Sequence, residues 1–403
     1  VGGIFAALIA AALLFTTTAL AISHASVLSE PLFLALLVLF TWQMARESPR
    51  ERSVRGTILL GTIAAATVLV RYAGASLAAA LVLDALLATR RASWRERVRR
   101  VALAGVIPAA ALGAWALSRP MTDGGRIRRA GIYFAGTGAT LREGVDTIAR
   151  WLAPYEVESR AVWLGMALAL LVVLALLWAR TAGAARAACR ERGERQREAR
   201  TYRSVALVAL SYVAVIGASR LLADPDIPLD DRMMAPVFVL AILALAPALA
   251  NWWWRARPAA SLPSAMVAAV WLVHSARATA DRVREYHGDG DDLASNAWQM
   301  SPLVEYARGA DARVRLYSNW PAAIWFHTGR SVAEIPEELD PKTVAAFRAK
   351  LEREHGAVLA FTSPSPDAAS PDSLARLAGL VKVVDSTDGA VWRAPADSAK
   401  LKP

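Results

Sequence analysis

Ser23-His24-Ala25-Ser26-Val27-Leu28-Ser29-Glu30-Pro31-Leu32-Phe33 is a short polar break between two long apolar runs, Ile4 to Ile22 and Leu32 to Met44. It places an imidazole and a carboxylate, His24 and Glu30, close to where the chain turns back into apolar sequence. Burying an ionised carboxylate without a partner costs several kcal/mol, roughly, so a carboxylate at such an edge marks a candidate functional site. The rest of the chain reads as a scaffold for a site on that side.

The chain has 403 residues, of which 55% are hydrophobic, and a mean hydropathy of +0.33. Its apolar residues lie in blocks, which indicates a membrane protein. The net charge is +11, but the arginines concentrate in short loops between apolar runs, where the positive-inside rule puts them. Nucleic acid is therefore not an expected partner. The single cysteine, Cys189, excludes an intrachain disulfide and a cysteine-rich metal site. Val1 is not an initiator Met, and the apolar run that follows has neither a basic flank nor a small-residue cleavage site. The expectation is a chain truncated at its N-terminus.

A spanning helix needs about 20 mostly apolar residues, and about nine candidate spans follow. They are Ile4 to Ile22, Leu28 to Ala45, Thr57 to Val70, Ala75 to Ala88, Val101 to Leu117, Val162 to Ala179, Ser204 to Leu222, Met233 to Ala250 and Leu262 to Thr279. The third and fourth are short and separated by Arg71-Tyr72-Ala73-Gly74. They read either as two half-length helices meeting at a dip or as a tilted helix followed by an interfacial one. Four arginine-rich loops, around Arg46 to Arg55, Arg90 to Arg100, Arg180 to Arg203 and Arg255 to Arg257, fall on one side of the alternation, expected to be cytoplasmic. Trp252-Trp253-Trp254 beside Arg255 suits an aromatic belt at that edge.

From Asp281 the composition becomes that of a soluble domain. The expected division is residues 1–280, a multi-span membrane domain, and residues 281–403, a small α/β domain on the extracytoplasmic face. Leu293 to Arg308, Thr343 to His355 and Asp372 to Ala378 read as helices; Arg313 to Tyr317, Ala357 to Phe361, Val381 to Val384 and Ala390 to Trp392 read as strands. This tail shows no Gly-rich phosphate loop, no nucleophile elbow and no metal-spaced His or Cys cluster.

Each candidate site residue has a plain alternative. Glu30, ahead of Pro31, either complements a helix dipole or offers a hard oxygen to a metal or an acceptor group. His24 is either an interfacial polar residue or a ligand. Arg71, with Tyr72, either snorkels to the interface or binds a phosphate, which fits its planar fork. Asp224 to Pro236 packs Asp224, Asp226, Asp230, Asp231 and Arg232 at the start of a span, as a solvated turn or as a site for a phosphate or cation. Arg126, Arg128 and Arg129 lie in a long outer loop against the positive-inside trend and call for an anionic partner such as a lipid phosphate. An amphipathic helix around Leu141 to Leu152 would set Trp151 and Tyr155 at headgroup level.

Ser-Glu-Pro-Leu-Phe at residues 29–33, Val-Arg-Tyr-Ala-Gly at 70–74, Asp-Asp-Arg-Met-Met-Ala-Pro at 230–236, Leu-Tyr-Ser-Asn-Trp-Pro at 316–321 and Phe-His-Thr-Gly-Arg at 326–330 carry a resemblance. The chain resembles the GT-C integral-membrane glycosyltransferases. Within them it looks most like the polyprenyl-phosphate-sugar-dependent group that includes the bacterial protein mannosyltransferase and aminoarabinose transferase relatives.

The resemblance implies a multi-pass protein of a bacterial inner membrane with a periplasmic C-terminal domain. It implies inverting transfer of a sugar from a polyprenyl-phosphate donor to a lipid, glycan or protein acceptor, with the leaving phosphate stabilised by cations and a divalent metal, Mg or Mn. The family's catalytic carboxylate lies in a first outer loop that would precede Val1. Glu30 then carries over as an accessory acidic residue and metal or acceptor contact, with His24 beside it. Arg71 and Arg232 carry over as donor-phosphate contacts, grouped with Tyr72, Asp230 and Asp231. Two rival classes are a lipid transporter, which should show internal repeats, and a non-catalytic scaffold with an outer partner-binding domain.

Overall fold

In a computed structural model, the structure describes residues 2–18, 20–21, 29–48, 51–88, 93–118, 137–152, 194–222, 227–255, 258–290, 292–336, 338–363 and 369–395. The chain divides into two compact units, Val1–Val283 and Arg284–Pro403.

The first unit is helical. Its elements are α1 (Gly2–Phe15), α2 (Glu30–Arg46), α3 (Val54–Val70), a 3-10 turn (Tyr72–Gly74), α4 (Ala75–Ala88), α5 (Trp94–Ser118), α6 (Thr137–Leu152), α7 (Glu194–Leu222), α8 (Asp231–Arg255) and α9 (Pro258–Asp289). Fully buried Phe33, Leu37 and Phe40 of α2 meet Leu60 of α3, Leu77 and Leu81 of α4, Val208 and Tyr212 of α7 and Leu240 of α8 in one core. Large apolar residues on the opposite faces, such as Ile58, Leu59, Leu69, Leu210 and Val213, stay exposed. That is the distribution of a bundle whose solvent is itself apolar. Thr279 of α9 donates to the Thr16 carbonyl at 2.9 Å and meets Thr18 Oγ1 at 3.1 Å, fastening α9 to the end of α1.

The expected nine spans are not what the structure shows. Among the described residues three helical stretches are long and apolar enough to cross a membrane: Trp94–Trp115, Glu198–Leu222 and Asp231–Ala250. The reason is length. Helices α1 and α4 have 14 residues each and α2 and α3 have 17. At 1.5 Å per residue, even 17 residues rise only about 25 Å, short of a hydrocarbon core of about 30 Å. Helix α9 is long, and the side chains of several residues in the expected span Leu262 to Thr279 lie outside the described ones. The expected span Val162 to Ala179 lies outside the described residues. The described residues are therefore mostly helical, with three candidate membrane helices and a small sheet towards the C-terminal end.

The second unit continues with a 3-10 turn (Asp292–Ala294), α10 (Asn296–Gln299), α11 (Pro302–Gly309), β1 (Leu316–Ser318), α12 (Pro321–Thr328), β2 (Val332–Glu334), α13 (Pro341–Arg353), β3 (Ala357–Phe361), α14 (Pro371–Leu377), β4 (Val381–Ser386) and β5 (Gly389–Arg393). The strand order is β2-β1-β3-β5-β4, with β1 parallel to β2 and β3, and β5 antiparallel to both β3 and β4. All five residues of β3 are buried, because the sheet is covered on both faces. Val358 faces Val344, Phe347, Leu351 and Leu374 from α13 and α14; Leu359 and Phe361 face Leu303, Val304 and Ile324 from α11 and α12.

The tail motifs have structural work here. Asn319 donates to the carbonyls of Phe361 and Ser363, at 3.0 and 3.1 Å, and accepts from the Phe361 N–H at 2.9 Å, tying the end of β1 to the end of β3. Gly329 ends α12 in the left-handed conformation, φ 70°. Arg330 then donates to four backbone carbonyls, those of Ala307, Ala310, Asp311 and Val314. These residues hold the chain around α11 and do not converge on an open site.

Candidate functional site

Helix α2 starts at Glu30, with Pro31 in its first turn and the Phe33 N–H bonded to the Ser29 carbonyl at 3.0 Å. Pro suits that position because it has no N–H to satisfy, and a carboxylate there complements the positive end of the helix dipole. Glu30 is nonetheless only 1% exposed, so its charge needs nearer partners.

One partner comes from the break between α3 and α4. Arg71 leaves α3 in extended conformation (φ −151°, ψ 141°), and its N–H still bonds the Thr67 carbonyl at 3.0 Å. The chain then tightens through the 3-10 turn, where the Gly74 N–H bonds the Arg71 carbonyl at 2.8 Å. Gly74 lies so close to α3 that an added Cβ would stand 2.4 Å from the Thr67 carbonyl carbon. This geometry returns the Arg71 guanidinium to the bundle, where Nη1 lies 2.6 Å from Glu30 Oε1. It also lies over the Phe33 ring, 5.9 Å from its centroid, and Nη2 meets Met233 Sδ at 3.1 Å.

The other partner is Arg232 in the first turn of α8. Its Nε donates to the same oxygen, Glu30 Oε1, at 2.9 Å. Two guanidiniums thus share one oxygen, leaving one positive charge in excess, and Glu30 Oε2 is buried with no hydrogen-bond partner. The Arg232 side chain is about half exposed (49%), whereas that of Arg71 is mostly covered (18%). Below them, the Tyr212 hydroxyl of α7 donates to the Met233 carbonyl at 2.7 Å and fixes the first turn of α8.

Of the residues named from sequence, Glu30, Arg71 and Arg232 come together on one oxygen atom. Tyr72 does not join them: it is exposed and packs edge-on against Trp115 at 5.1 Å. Asp230 caps α8, accepting from the Met233 N–H at 2.9 Å, an N-terminal role that its position explains in full. Asp231 accepts from the Trp151 indole N–H at 3.1 Å, with Arg150 Nε 3.6 Å from its other oxygen. His24, Arg126, Arg128 and Arg129 lie outside the described residues.

Trp151 of α6 is buried against Phe238, ring centroids 4.8 Å apart, and Tyr155 lies outside the described residues. The same helix grips the loop before α8: Glu143 Oε1 accepts from the Leu229 N–H at 2.9 Å and Thr147 Oγ1 donates to the Leu229 carbonyl at 2.7 Å. Sequence spacing carried the amphipathic signal but not the surface that α6 would meet.

The metal assignment to Glu30 does not fit. Oε1 is occupied by two cations, and among the described residues no group of three or more His, Cys, Asp or Glu could hold a metal ion. Among the described residues an Mg or Mn ion would find one free carboxylate oxygen, Glu30 Oε2, and no group of acidic or His side chains around it, fewer ligands than hard cations require. No protein-family model matches the chain, and no curated protein matches it.

Proposed function

We propose that this chain is a membrane glycosyltransferase of the GT-C type, moving a sugar from a polyprenyl-phosphate donor to a lipid, glycan or protein acceptor at the Glu30 end of the bundle. The observation that supports the reading is the triad itself. Positions 30, 71 and 232 converge on one oxygen, with a net positive charge and a spare buried carboxylate oxygen. The acceptor hydroxyl or amine is oriented by Glu30 Oε2, gives its proton to a carboxylate and attacks the anomeric carbon with inversion. The sugar–phosphate C–O bond breaks, and the leaving phosphate is stabilised by the half-exposed Arg232, with Arg71 behind it. The reaction face is the extracytoplasmic one, and the membrane a bacterial inner membrane. An apolar cavity of about 520 Å³ along α2, lined by Val38, Leu39, Trp42, Val205 and Leu243 among others, suits a prenyl chain.

The test is release of polyprenyl phosphate from a polyprenyl-phosphate-linked radiolabelled sugar by membranes that contain the chain. Release above that of membranes without the chain, falling about 100-fold in Arg232→Gln, supports the reading, the loss being that of a donor to a developing anion. Background release by the wild-type chain overturns it. The closed charge triad also favours a second reading, a scaffold in which it only locks three helices. In that case Arg232→Gln lowers the melting temperature and no release occurs in any variant.

A further inference from the structure

The bundle holds a second buried carboxylate at its other end. Asp84 of α4 is 1% exposed, inside an otherwise apolar helix. Its Oδ2 accepts from Arg52 Nη1 at 2.9 Å and its Oδ1 lies 2.6 Å from Arg203 Nη2 of α7. One carboxylate again serves two guanidiniums, and the trio retains one positive charge. Arg52 precedes α3, whereas Arg71 follows it, so the two clusters stand about 25 Å apart along that helix.

Arg52 is the unusual member. Its side chain is 5% exposed, and Nη2 donates weakly to the Met44 carbonyl at 3.3 Å. Its Nε is buried with no hydrogen-bond partner. A desolvated guanidinium N–H without an acceptor is rare in a folded protein. Arg52 lines a cavity of about 60 Å³ together with Thr57, Leu81, Arg99, Arg100 and Leu103. No acidic side chain lines it; Glu96 of α5 is engaged by Arg99 at 2.8 Å and Arg100 at 2.7 Å, and Glu47, which reaches Gly56 beside the Arg52 methylenes, is not among the lining residues.

We propose that this cavity binds a phosphate-bearing anion through Arg52, Arg99 and Arg100, and that its natural source is a phospholipid headgroup. The volume takes a phosphate group and not a nucleotide. Guanidinium forks match phosphate oxygens, and the apolar half of the wall, Leu81 and Leu103, suits the start of an acyl chain. Depth favours the lipid. Helix α5 is one of the three long and apolar enough to cross a membrane, its basic residues lie in its first two turns, and the exposed Trp94 opens it. Arginines and an aromatic at one helix end mark the headgroup layer.

The experiment is a thermal-shift titration of the whole chain in detergent with dihexanoyl phosphatidylglycerol, with inorganic phosphate, and with uncharged dihexanoylglycerol. Each is repeated on Arg99→Gln/Arg100→Gln, which spares the Asp84 lock, and on Thr57→Leu, which fills the cavity without removing a charge. The expected result is a rise in melting temperature with phosphatidylglycerol and not with dihexanoylglycerol, with apparent affinity at least tenfold weaker in both variants. A rise with inorganic phosphate at equal or lower concentration keeps the site and reassigns its source to a free anion. The proposal is overturned if neither anion shifts the wild-type chain, or if the shift survives unchanged in whichever variant folds.

Discussion

The indole N–H of Trp151 donates to Asp231 Oδ1 at 3.1 Å across 80 residues of sequence, and it joins α6 to the first turn of α8. Trp151→Phe keeps the buried ring stack on Phe238 and removes only the donor. The expected cost is about 1 kcal/mol, the net worth of one hydrogen bond, read as a drop of a few degrees in melting temperature. An unchanged melting temperature would show that this donor adds nothing to the packing of α6 and to its Glu143 and Thr147 hydrogen bonds.

Glu30 separates the two roles of a buried carboxylate. Glu30→Ala leaves Arg71 and Arg232 facing each other without a counter-charge, and the expected loss is about 3–5 kcal/mol, the usual result of removing one partner of a buried ion pair. Glu30→Gln retains an acceptor oxygen for one guanidinium and is expected to cost less than Glu30→Ala. Chemical denaturation of both variants in the same detergent checks the order. Equal losses would mean that shape, and not charge, holds the site.

Gly74→Ala adds one methyl group against backbone, with Thr67 O at 2.5 Å and Val68 N at 2.5 Å from the new carbon. Neither atom is the flexible end of a side chain, so the 3-10 turn must shift and carry Arg71 with it. The expected destabilisation is about 1–3 kcal/mol, the range of overpacking. A reduced response to Arg71→Gln in the Gly74→Ala background, measured as a double-mutant cycle, checks the coupling. Strict additivity would refute it.

Much of the second unit was legible in sequence, because its signals are local. Ala357 to Phe361 is an apolar run after Gly356, and it is β3 to the residue. Thr343 to His355 lies over α13, which starts two residues earlier because Asp340 and Pro341 form the cap. Leu293 to Arg308 is not one helix: Ser301 caps a new start, accepting from the Val304 N–H at 3.1 Å, and Pro302 enforces the break. Strand β2, three residues long, and α12 went unread, the first too short for any periodicity to show. In the first unit, Glu30, Arg71 and Arg232 were each conspicuous as charges against apolar runs. That they meet on one oxygen depends on how α2, α3 and α8 pack, which no local pattern carries. Asp84 was the missed signal, a lone carboxylate within the apolar run Ala75 to Ala88.

Asp340 gives the second unit an acid-sensitive cap. Hydrogen bonds from the Thr343 side chain, and from the Thr343 and Lys342 backbone N–H groups, hold its carboxyl below the usual carboxylate value of 3.8. The folded state therefore favours the ionised form. Its contribution is complete above about pH 4 and is lost as the pH falls through the lowered value. Amide exchange at Lys342 and Thr343 is expected to quicken on acidification, relative to the chemical rate, before the rest of α13 responds. In Asp340→Asn that acid step should vanish, and its persistence would move the titration to another group.

Helix α3 is bracketed by Arg52 and Arg71, each drawn inward by a buried acidic residue, Asp84 at one end and Glu30 at the other. Neither guanidinium is at liberty to reach outward along its methylenes, so the apolar length between them stays near 25 Å. That is short of a bilayer core of about 30 Å, so the two buried ion clusters at its ends keep α3 an interior strut of the bundle, held by its neighbours from both ends.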